Sequence, residues 1–362
     1  MRNLVHCLML FLICSNTFSQ RVYPFWDQFN IHFRVYDDGV TKVIETIPVK
    51  SHKSGVDYVA YVTDMKDFKI YSNGSSRIIS RFEPVNYQAA DHLVVYANMN
   101  EVMAFYQGRI TKICAQCSEF KLNDSMIVFT DNRGFLKAWY DGNTTQLEIN
   151  SQIDYKVGRN LVAFVDRNNL LKVFYHDTIM RLEVFSDSTQ FKIGAGIVTY
   201  LDRNQQLKVF YGKKTYTLDR IRPISYEAGD DMVAFVDINS NFKVFHKGNL
   251  FILENYIPSS YTIVEGILYY RDNLNQLKVF ENGKGRVIDT WFPSEVSIRN
   301  STMVYKDFRN RIKLYQPGKD VIDVSVEQVT SFKALPELVV YTTGAKTTVI
   351  WDHGNVTEIV LN

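Results

Sequence analysis

The chain has 362 residues, of which 46% are hydrophobic and 22% charged, a balance typical of a folded protein and too apolar for a disordered one. Because 41 Lys and Arg residues nearly balance 39 Asp and Glu residues, no bulk charge directs the chain to nucleic acid or to an anionic membrane. The chain also contains 24 Phe and 22 Tyr but only 8 Pro. Aromatic residues favour strands, so the composition predicts an all-β protein.

Residues 1–19 have the features of a cleaved export signal. Arg2 supplies a positive charge, the apolar stretch 4–14 is too short to span a bilayer, and the small residue Ser19 precedes the cleavage position. No other segment is apolar for long enough to span a membrane. We therefore expect an exported mature chain, residues 20–362, that folds as one domain without a transmembrane segment.

The cysteines are interpreted in the light of export. Acylation at Cys14 is an alternative fate of the signal, but the bulky Ile13 before it disfavours that processing. Cleavage would remove Cys7 and Cys14 and leave Cys114 and Cys117 in a C-x-x-C spacing. A zinc site needs further ligands at matching spacing, and a redox motif needs a helix N-terminus. In an oxidising compartment, the pattern favours a local disulfide between Cys114 and Cys117.

A repeat of about 35 residues runs through the mature chain. Segment 161–175 (LVAFVDRNNLLKVFY) and segment 232–246 (MVAFVDINSNFKVFH) are two clear copies. An Asp ends the apolar run in most copies, and these residues are Asp64, Asp131, Asp166, Asp202, Asp237, Asp272 and Asp307. The regular spacing of this residue indicates a repeat architecture.

A second set of positions supports the same period. An aromatic residue follows each Asp by seven or eight positions, including Tyr71, Trp139, Phe174, Phe210, Phe245, Phe280 and Tyr315. A turn that usually contains Gly follows two or three residues later. Ten copies account for nearly the whole mature chain and leave no room for a second domain.

Each copy is predicted to form four short strands. An apolar strand ends at the Asp, a strand of the Leu-Lys-Val-Phe type follows, and a third strand follows the Gly turn. A weaker fourth strand carries an aromatic residue eleven positions before the next Asp. The uniformly apolar strand is expected to line the crowded centre. No segment holds a helical apolar period for three turns, so few helices are expected.

Four-stranded units repeated along a whole chain are typical of a β-propeller, because stacked units bury one another. The apolar strand, the Asp/Asn turn and the aromatic strand resemble those of TolB-like and WG-repeat propellers, which implies the same fold. The period is shorter than the roughly 40 to 45 residues of a usual blade. Ten units could therefore form one wide ring, two smaller propellers or an open β-solenoid, and a single propeller is favoured.

The repeated polar residues are interpreted as structural. Asp166 begins a segment that weakly resembles a calcium loop, but the alternating ligands and the distal Glu of such a loop are absent. Turn capping by the Asp accounts for it without a metal. A Lys on the following strand, such as Lys172, is expected to pair with this Asp, the alternative being a cationic ring for an acidic partner. We expect no cofactor and no metal.

No enzymatic signature is present in the sequence. It contains no HExxH, no GxSxG and no phosphate-binding loop. Paired acids for glycan cleavage would come from different blades and leave no linear motif. The prediction is therefore a non-catalytic protein, with a glycan-cleaving or carbohydrate-binding propeller as the alternative.

The signal and the aromatic- and Asn-rich mature chain resemble exported proteins of Bacteroidota-type bacteria. That resemblance implies a periplasmic or outer-membrane-associated propeller that mediates protein–protein interaction, with a protein-secretion channel of the outer membrane as one docking partner. The Gly turns vary in sequence from copy to copy, as in segments 72–75 and 316–319. Variable loops on a rigid fold suit protein recognition. A nucleic-acid partner is not expected.

Overall fold

A computed structural model describes residues 22–27, 30–99, 101–117, 120–124, 126–149, 154–184, 191–344 and 347–360. The predicted export signal, residues 1–19, lies outside the described residues. The described chain is built from strands and turns and contains no helix. Its 39 strands form ten antiparallel sheets, each termed a blade.

The strands of blades 1 to 5 have the following bounds. Blade 1 contains β1 (Val22–Asp27), β2 (His32–Asp37) and β3 (Val40–Glu45); blade 2 contains β4 (Val49–Ser54), β5 (Tyr58–Thr63), β6 (Phe68–Ser72) and β7 (Ser75–Ser80); blade 3 contains β8 (Asn86–Ala89), β9 (Leu93–Asn98), β10 (Glu101–Tyr106) and β11 (Arg109–Ala115); blade 4 contains β12 (Phe120–Asn123), β13 (Met126–Thr130), β14 (Leu136–Tyr140) and β15 (Asn143–Glu148); blade 5 contains β16 (Tyr155–Gly158), β17 (Leu161–Val165), β18 (Leu170–Tyr175) and β19 (Thr178–Val184).

The strands of blades 6 to 10 continue the same order. Blade 6 contains β20 (Phe191–Gly194), β21 (Ile197–Leu201), β22 (Leu207–Tyr211) and β23 (Lys214–Asp219); blade 7 contains β24 (Ser225–Gly229), β25 (Met232–Val236), β26 (Phe242–His246) and β27 (Asn249–Glu254); blade 8 contains β28 (Ser260–Val264), β29 (Ile267–Arg271), β30 (Leu277–Glu281) and β31 (Lys284–Asp289); blade 9 contains β32 (Val296–Arg299), β33 (Thr302–Lys306), β34 (Ile312–Tyr315) and β35 (Ile322–Asp323); blade 10 contains β36 (Val329–Leu335), β37 (Leu338–Thr343), β38 (Thr347–Asp352) and β39 (Asn355–Val360).

The first strand of each four-stranded blade lies at the centre of the ring. The first strands of neighbouring blades approach so closely that a Cβ added to Gly194 would lie 1.9 Å from the carbonyl oxygen of Gly229. A Cβ on Gly158 would lie 2.7 Å from the carbonyl oxygen of Gly194. The expectation that the uniformly apolar strand lines the centre is therefore wrong. The weaker aromatic strand takes that place, and in blades 5 and 6 the glycine at its end leaves room for the neighbouring backbone.

The uniformly apolar strand is the second of its blade, and its composition follows from burial on both faces. In β17, Leu161 and Ala163 pack in a cluster that includes Val198 and Tyr200 of blade 6. Phe164, from the other face of β17, packs in a cluster with residues of blade 4. A strand buried on both faces needs a continuous apolar run rather than an alternating one. Burying a side chain such as Phe164 contributes about 1.5–3 kcal/mol.

The ring closes between its first and last blades. The Tyr71 hydroxyl donates to Asp37 at 2.5 Å, which joins blades 2 and 1. The Tyr36 hydroxyl donates in the same way to Asp352 at 2.9 Å, which joins blades 1 and 10. Phe25 packs in the same closing cluster as residues of blade 10. The prediction of about ten units in one propeller is confirmed, and the two smaller rings and the open solenoid are not formed.

The antiparallel order of the strands gives the disc two faces. Turns between the first and second strands and between the third and fourth strands lie on one face, which we call the hairpin face. Turns between the second and third strands, together with the linkers between blades, lie on the other, which we call the Asp-turn face. Turn and linker contact one another there, as when the Phe292 amide donates to the Asn275 carbonyl at 2.8 Å.

Candidate docking face

The repeated Asp organises the turn between the second and third strands. In blade 5 the buried Asp166 accepts backbone N–H bonds through Oδ1 from Asn168 at 2.8 Å and from Leu170 at 3.0 Å. The same pair of bonds is made by Asp131, Asp202, Asp237, Asp272 and Asp307. This Asp closes a tight turn by satisfying donors that the strands leave unpaired.

The repeated Lys joins one blade to the previous one. Lys172 lies 2.8 Å from Asp166 of its own blade and 3.3 Å from Glu148 at the end of the preceding blade. Lys208 and Lys278 bridge in the same manner. In blade 9, Arg311 takes over the pair with Asp307 at 2.9 Å. These half-buried Lys and Arg side chains are already paired with carboxylates of their own blade or of the preceding blade. This pairing does not fit the alternative of a cationic ring presented to a partner.

Asp64 does not occupy the repeated position, contrary to the prediction. It is exposed, whereas the neighbouring Thr63 is buried and its amide donates to the Asp67 carbonyl at 3.0 Å, as the anchor Asp does in other blades. Blade 2 therefore uses Thr63 at the anchor. The repeat pattern predicted Asp64, one residue too late, because an Asp directly follows the true anchor position at Thr63.

The repeated aromatic residues lie between blades. Trp139, Phe174, Phe210 and Phe245 are buried, and Phe280 is half-buried. Trp139 meets Tyr106 of the preceding blade edge-on, with ring centroids 5.5 Å apart. Edge-on pairs of this kind add to the stabilisation that burial already provides.

Cys114 and Cys117 are joined in a disulfide, with Cα atoms 6.0 Å apart, where β11 leads into the linker to blade 4. Among the described residues, no group of three or more His, Cys, Asp or Glu side chains is placed to hold a metal ion.

The inner turns of the hairpin face carry a cluster of charges. Arg299 lies 2.9 Å from Glu265 of the neighbouring blade and also pairs with Asp91 of blade 3, across the centre of the ring. Arg159 pairs with Asp124 and lies 3.9 Å from Asp230. The described inner turns and adjoining strand ends contain more acids than arginines: Asp57, Asp91, Asp124, Asp230, Asp231, Glu265 and Glu337 against Arg159 and Arg299.

Burial perturbs several of these groups. It raises the pKa of Glu265 and of Asp231, since a partly buried carboxylate loses hydration. It lowers the pKa of Arg299 for the same reason. The bond to Asp57, at 2.6 Å, raises the pKa of His92. The described inner turns therefore carry an excess of carboxylates, and the first strands below them carry the lysines Lys53, Lys121, Lys156, Lys192 and Lys333.

The Asp-turn face carries large apolar side chains that are exposed to solvent. Those in the turns are Ile31, Met65, Met99, Ile238, Leu274 and Phe308. Ile31 belongs to this face because blade 1 has three strands and its β1 and β2 occupy the second and third positions of a blade, as the matching bonds of Tyr36 and Tyr71 show. Those in the linkers between blades are Phe82, Val85, Ile149, Ile221, Ile224, Ile257, Trp291 and Val326. Exposed apolar side chains gathered on one side of a molecule mark an interaction surface.

The same face carries exposed arginines. Among the described turn and linker residues of blades 4 to 7 these are Arg133, Arg167, Arg203, Arg220 and Arg222, against one exposed carboxylate, Asp154. Arg309 lies over the ring of Phe308, with its guanidinium carbon 5.0 Å from the ring centroid. The Asp-turn face is therefore apolar, and its sector from blade 4 to blade 7 is cationic, whereas Asp64, Glu83, Glu295 and Glu327 are exposed in its other blades.

Sequence reasoning singled out the Gly turns and missed this face. The signal that could have found it is an apolar residue inside a turn, one position after the anchor at Ile238 and Phe308 or two positions after it at Leu274. Turns normally hold polar residues, so an apolar residue there has no local structural reason.

The fold defines the class of protein, a ten-bladed β-propeller. The family model for the 10-bladed beta propeller domain matches residues 16–356, and the chain belongs to that family. No curated relative matches the sequence. Within the described residues, no helix is long and apolar enough to cross a membrane.

Two solved structures are similar to the chain at low identity. The computationally designed Ika8 protein is 14% identical with a TM-score of 0.32, over 84% of this chain and 96% of that one. PorZ, a bacterial surface component of the type-IX secretion system of Porphyromonas gingivalis, is 9% identical with a TM-score of 0.28, over 91% of this chain and 57% of that one. Likenesses at this level carry no argument about function.

Proposed function

We propose that the protein is an exported, non-catalytic scaffold of the cell envelope, located in the periplasm or at the periphery of the outer membrane. The observation that carries the proposal is the contrast between the two faces of the disc. The Asp-turn face carries exposed apolar side chains and a cationic sector in blades 4 to 7, and the hairpin face is polar with acidic inner turns. A rigid disc with two different faces suits a subunit that connects two partners.

A protein partner is assigned to the hairpin face. Its outer hairpins share a backbone with positive φ at Gly74, Gly142, Gly248 and Gly283, yet the side chains around them differ from blade to blade. A constant backbone that presents different side chains supports specific recognition. An outer-membrane complex, such as a protein-secretion channel, is the partner that we propose.

Site-specific crosslinking in the native host tests this assignment. A photoreactive residue in place of Lys213, on the hairpin face, is expected to yield an adduct of one defined protein. The same residue in place of Thr111, exposed on the outer strand β11, is the matched control and is expected to yield none. Equal labelling at both positions, or none at Lys213, would contradict the scaffold.

Export is tested separately by N-terminal sequencing of the purified native protein. The expected first residue is Gln20, and a chain that retains its first 19 residues would refute cleavage.

The alternative of a carbohydrate-active propeller gives a different result. Glycan-array binding that is lost in the double variant Asp230→Asn, Glu265→Gln would assign the acidic inner turns to a sugar and count against the scaffold.

A further inference from the structure

We propose that the Asp-turn face docks directly on an anionic phospholipid bilayer. This inference rests on the proposed function, because it names the ligand that the envelope-facing side of the proposed scaffold binds. The apolar side chains at the turn tips are between 56 and 90% exposed at Ile31, Met65, Met99, Ile238, Leu274 and Phe308. Such side chains leave water when they enter the boundary between headgroups and acyl chains.

The distribution of these side chains favours a lipid surface over a protein. The turn-tip side chains arise from six blades, blades 1 to 3 and blades 7 to 9, one from each, and are not gathered in one pocket. A protein interface concentrates its binding energy in a few central, enclosed side chains. A bilayer accepts many separate insertions over a broad plane. Trp291 adds a side chain of the type enriched at membrane interfaces, and Phe82 adds a further exposed apolar ring.

The arginines supply the preference for anionic lipid. Arg203 donates to the Val184 carbonyl at 3.2 Å, and Arg222 donates to the Gln205 amide oxygen at 3.2 Å. These neutral partners hold the side chains without cancelling their charge. A guanidinium binds phosphate oxygens in a bidentate manner, and its stem can lie among apolar groups while its head stays at the surface.

The charges also set the orientation and disfavour a second copy of the chain as the occupant. Two Asp-turn faces stacked about a twofold axis through blades 4 to 7 would oppose the exposed arginines of one copy with those of the other. The acidic inner turns of the hairpin face, which include Asp91 and Asp230, are repelled by an anionic bilayer. The Asp-turn face therefore faces the membrane, and the hairpin face is left open to a protein.

Vesicle flotation with mature protein, residues 20–362, tests the proposal. Vesicles of 70% phosphatidylcholine and 30% phosphatidylglycerol are expected to bind the protein at least tenfold more strongly than pure phosphatidylcholine vesicles. The double variant Arg203→Gln, Arg222→Gln is expected to lose about tenfold or more in partition coefficient. The variant Leu274→Ser, Phe308→Ser is expected to lose binding to a similar extent.

The matched control removes the same charge from the opposite face. Lys214→Gln, Lys284→Gln takes away two exposed cations of the hairpin face and is expected to bind as the native protein does. Every variant is expected to fold, because the substituted side chains are exposed. Circular dichroism melting checks this. Equal loss in the control and in the arginine variant would overturn the proposal.

Failure of the lipid proposal can be separated from failure of the scaffold. Absent vesicle binding with intact crosslinking from Lys213 would refute the lipid surface and leave the scaffold standing. Crosslinking of one protein from position 274, again without vesicle binding, would assign the Asp-turn face to a protein and overturn the proposal. Vesicle binding without any adduct from Lys213 supports the lipid surface and contradicts the protein partner.

Discussion

At the scale of single residues, the chain relies on one buried carboxylate per turn. The Oδ1 atom of Asp237 accepts the amides of Asn239 and Asn241, and Oδ2 lies 2.6 Å from Lys243. The Asn241 side-chain amide also donates to Oδ2 at 2.9 Å, so four donor groups depend on one side chain that is almost fully buried. Removing it leaves a half-buried cation and three amide groups without that partner, which costs more than the lost bonds.

We predict that Asp237→Ala lowers the free energy of unfolding by about 2–3 kcal/mol. Asp64→Ala is the matched control, because Asp64 is exposed and outside the anchor position, and it is expected to stay within about 0.5 kcal/mol of the native protein. Denaturant unfolding measures both. Equal effects of the two substitutions would show that the anchor Asp contributes no more to the free energy of unfolding than an exposed Asp does.

The same carboxylates predict a loss of stability in acid. Burial alone would raise the pKa of Asp131 and of Asp237, but the Lys partner and the backbone N–H bonds outweigh it and lower both to about 2. A depressed pKa in the folded state contributes stability above the unfolded value of about 4, and that contribution is lost as the pH falls towards 2. Melting temperatures between pH 5 and pH 2 should fall, and Asp237→Asn should reduce the slope. A flat profile would contradict this account.

At the scale of elements, the position of a strand in its blade decides its composition. The second strands are buried on both faces and are apolar throughout, as in β17 and β25. The first strands meet at the centre, where Gly158 and Gly194 leave room for the neighbouring backbone and Gly229 leaves room for the Ile263 side chain. In blades 5 to 7 the innermost strand is therefore marked by a glycine at its end rather than by its apolar content.

We predict that Gly194→Ala destabilises the propeller by about 3 kcal/mol, since its Cβ would overlap the carbonyl of Gly229 and a backbone atom cannot move aside cheaply. Gly344→Ala is the control, because nothing lies within 4 Å of its Cβ position. Thermal unfolding compares the two. A Gly194 variant as stable as the Gly344 variant would mean that the centre is looser than described.

At the scale of the whole molecule, the ring is closed by the same kind of Tyr–Asp hydrogen bond that joins blades 1 and 2. Tyr36 to Asp352 repeats Tyr71 to Asp37 across the point where the ends of the chain meet. A ring gains packing at each junction between neighbouring blades. The closing junction uses the same Tyr–Asp bond as the junction of blades 1 and 2, although blade 1 has three strands instead of four.

We predict that Tyr36→Phe and Tyr71→Phe cost similar amounts, about 1–2 kcal/mol each, because each leaves a buried acid short of one donor. Guanidinium unfolding of the two variants provides the measurement. Native stability of the Tyr36 variant beside a destabilised Tyr71 variant would show that the closing junction is not formed in solution.

Much of the fold was predictable because the spacing of recurring residues shows the length of the repeat directly. The Asp and aromatic positions gave the unit length and the number of units, and the turn Asp predicted a local cap in most units. The order of the four strands from the centre of the ring outwards was not predictable. Which strand lies innermost depends on contacts with other blades, and the glycines at 158, 194 and 229 mark it only once the blades are placed side by side. Asp64 was misassigned for a similar reason, because burial rather than sequence separates it from Thr63.

The amino-acid sequence by itself determined an all-β repeat protein of ten units with a near-neutral overall charge. The tertiary structure decided how that charge and the exposed apolar residues are divided. An antiparallel meander sends alternate turns to opposite ends of its strands, so residues far apart in the chain, such as Met65, Leu274 and Phe308, lie on one face. A sum over the sequence cannot show this separation, because the faces exist only after the blades have closed into a ring.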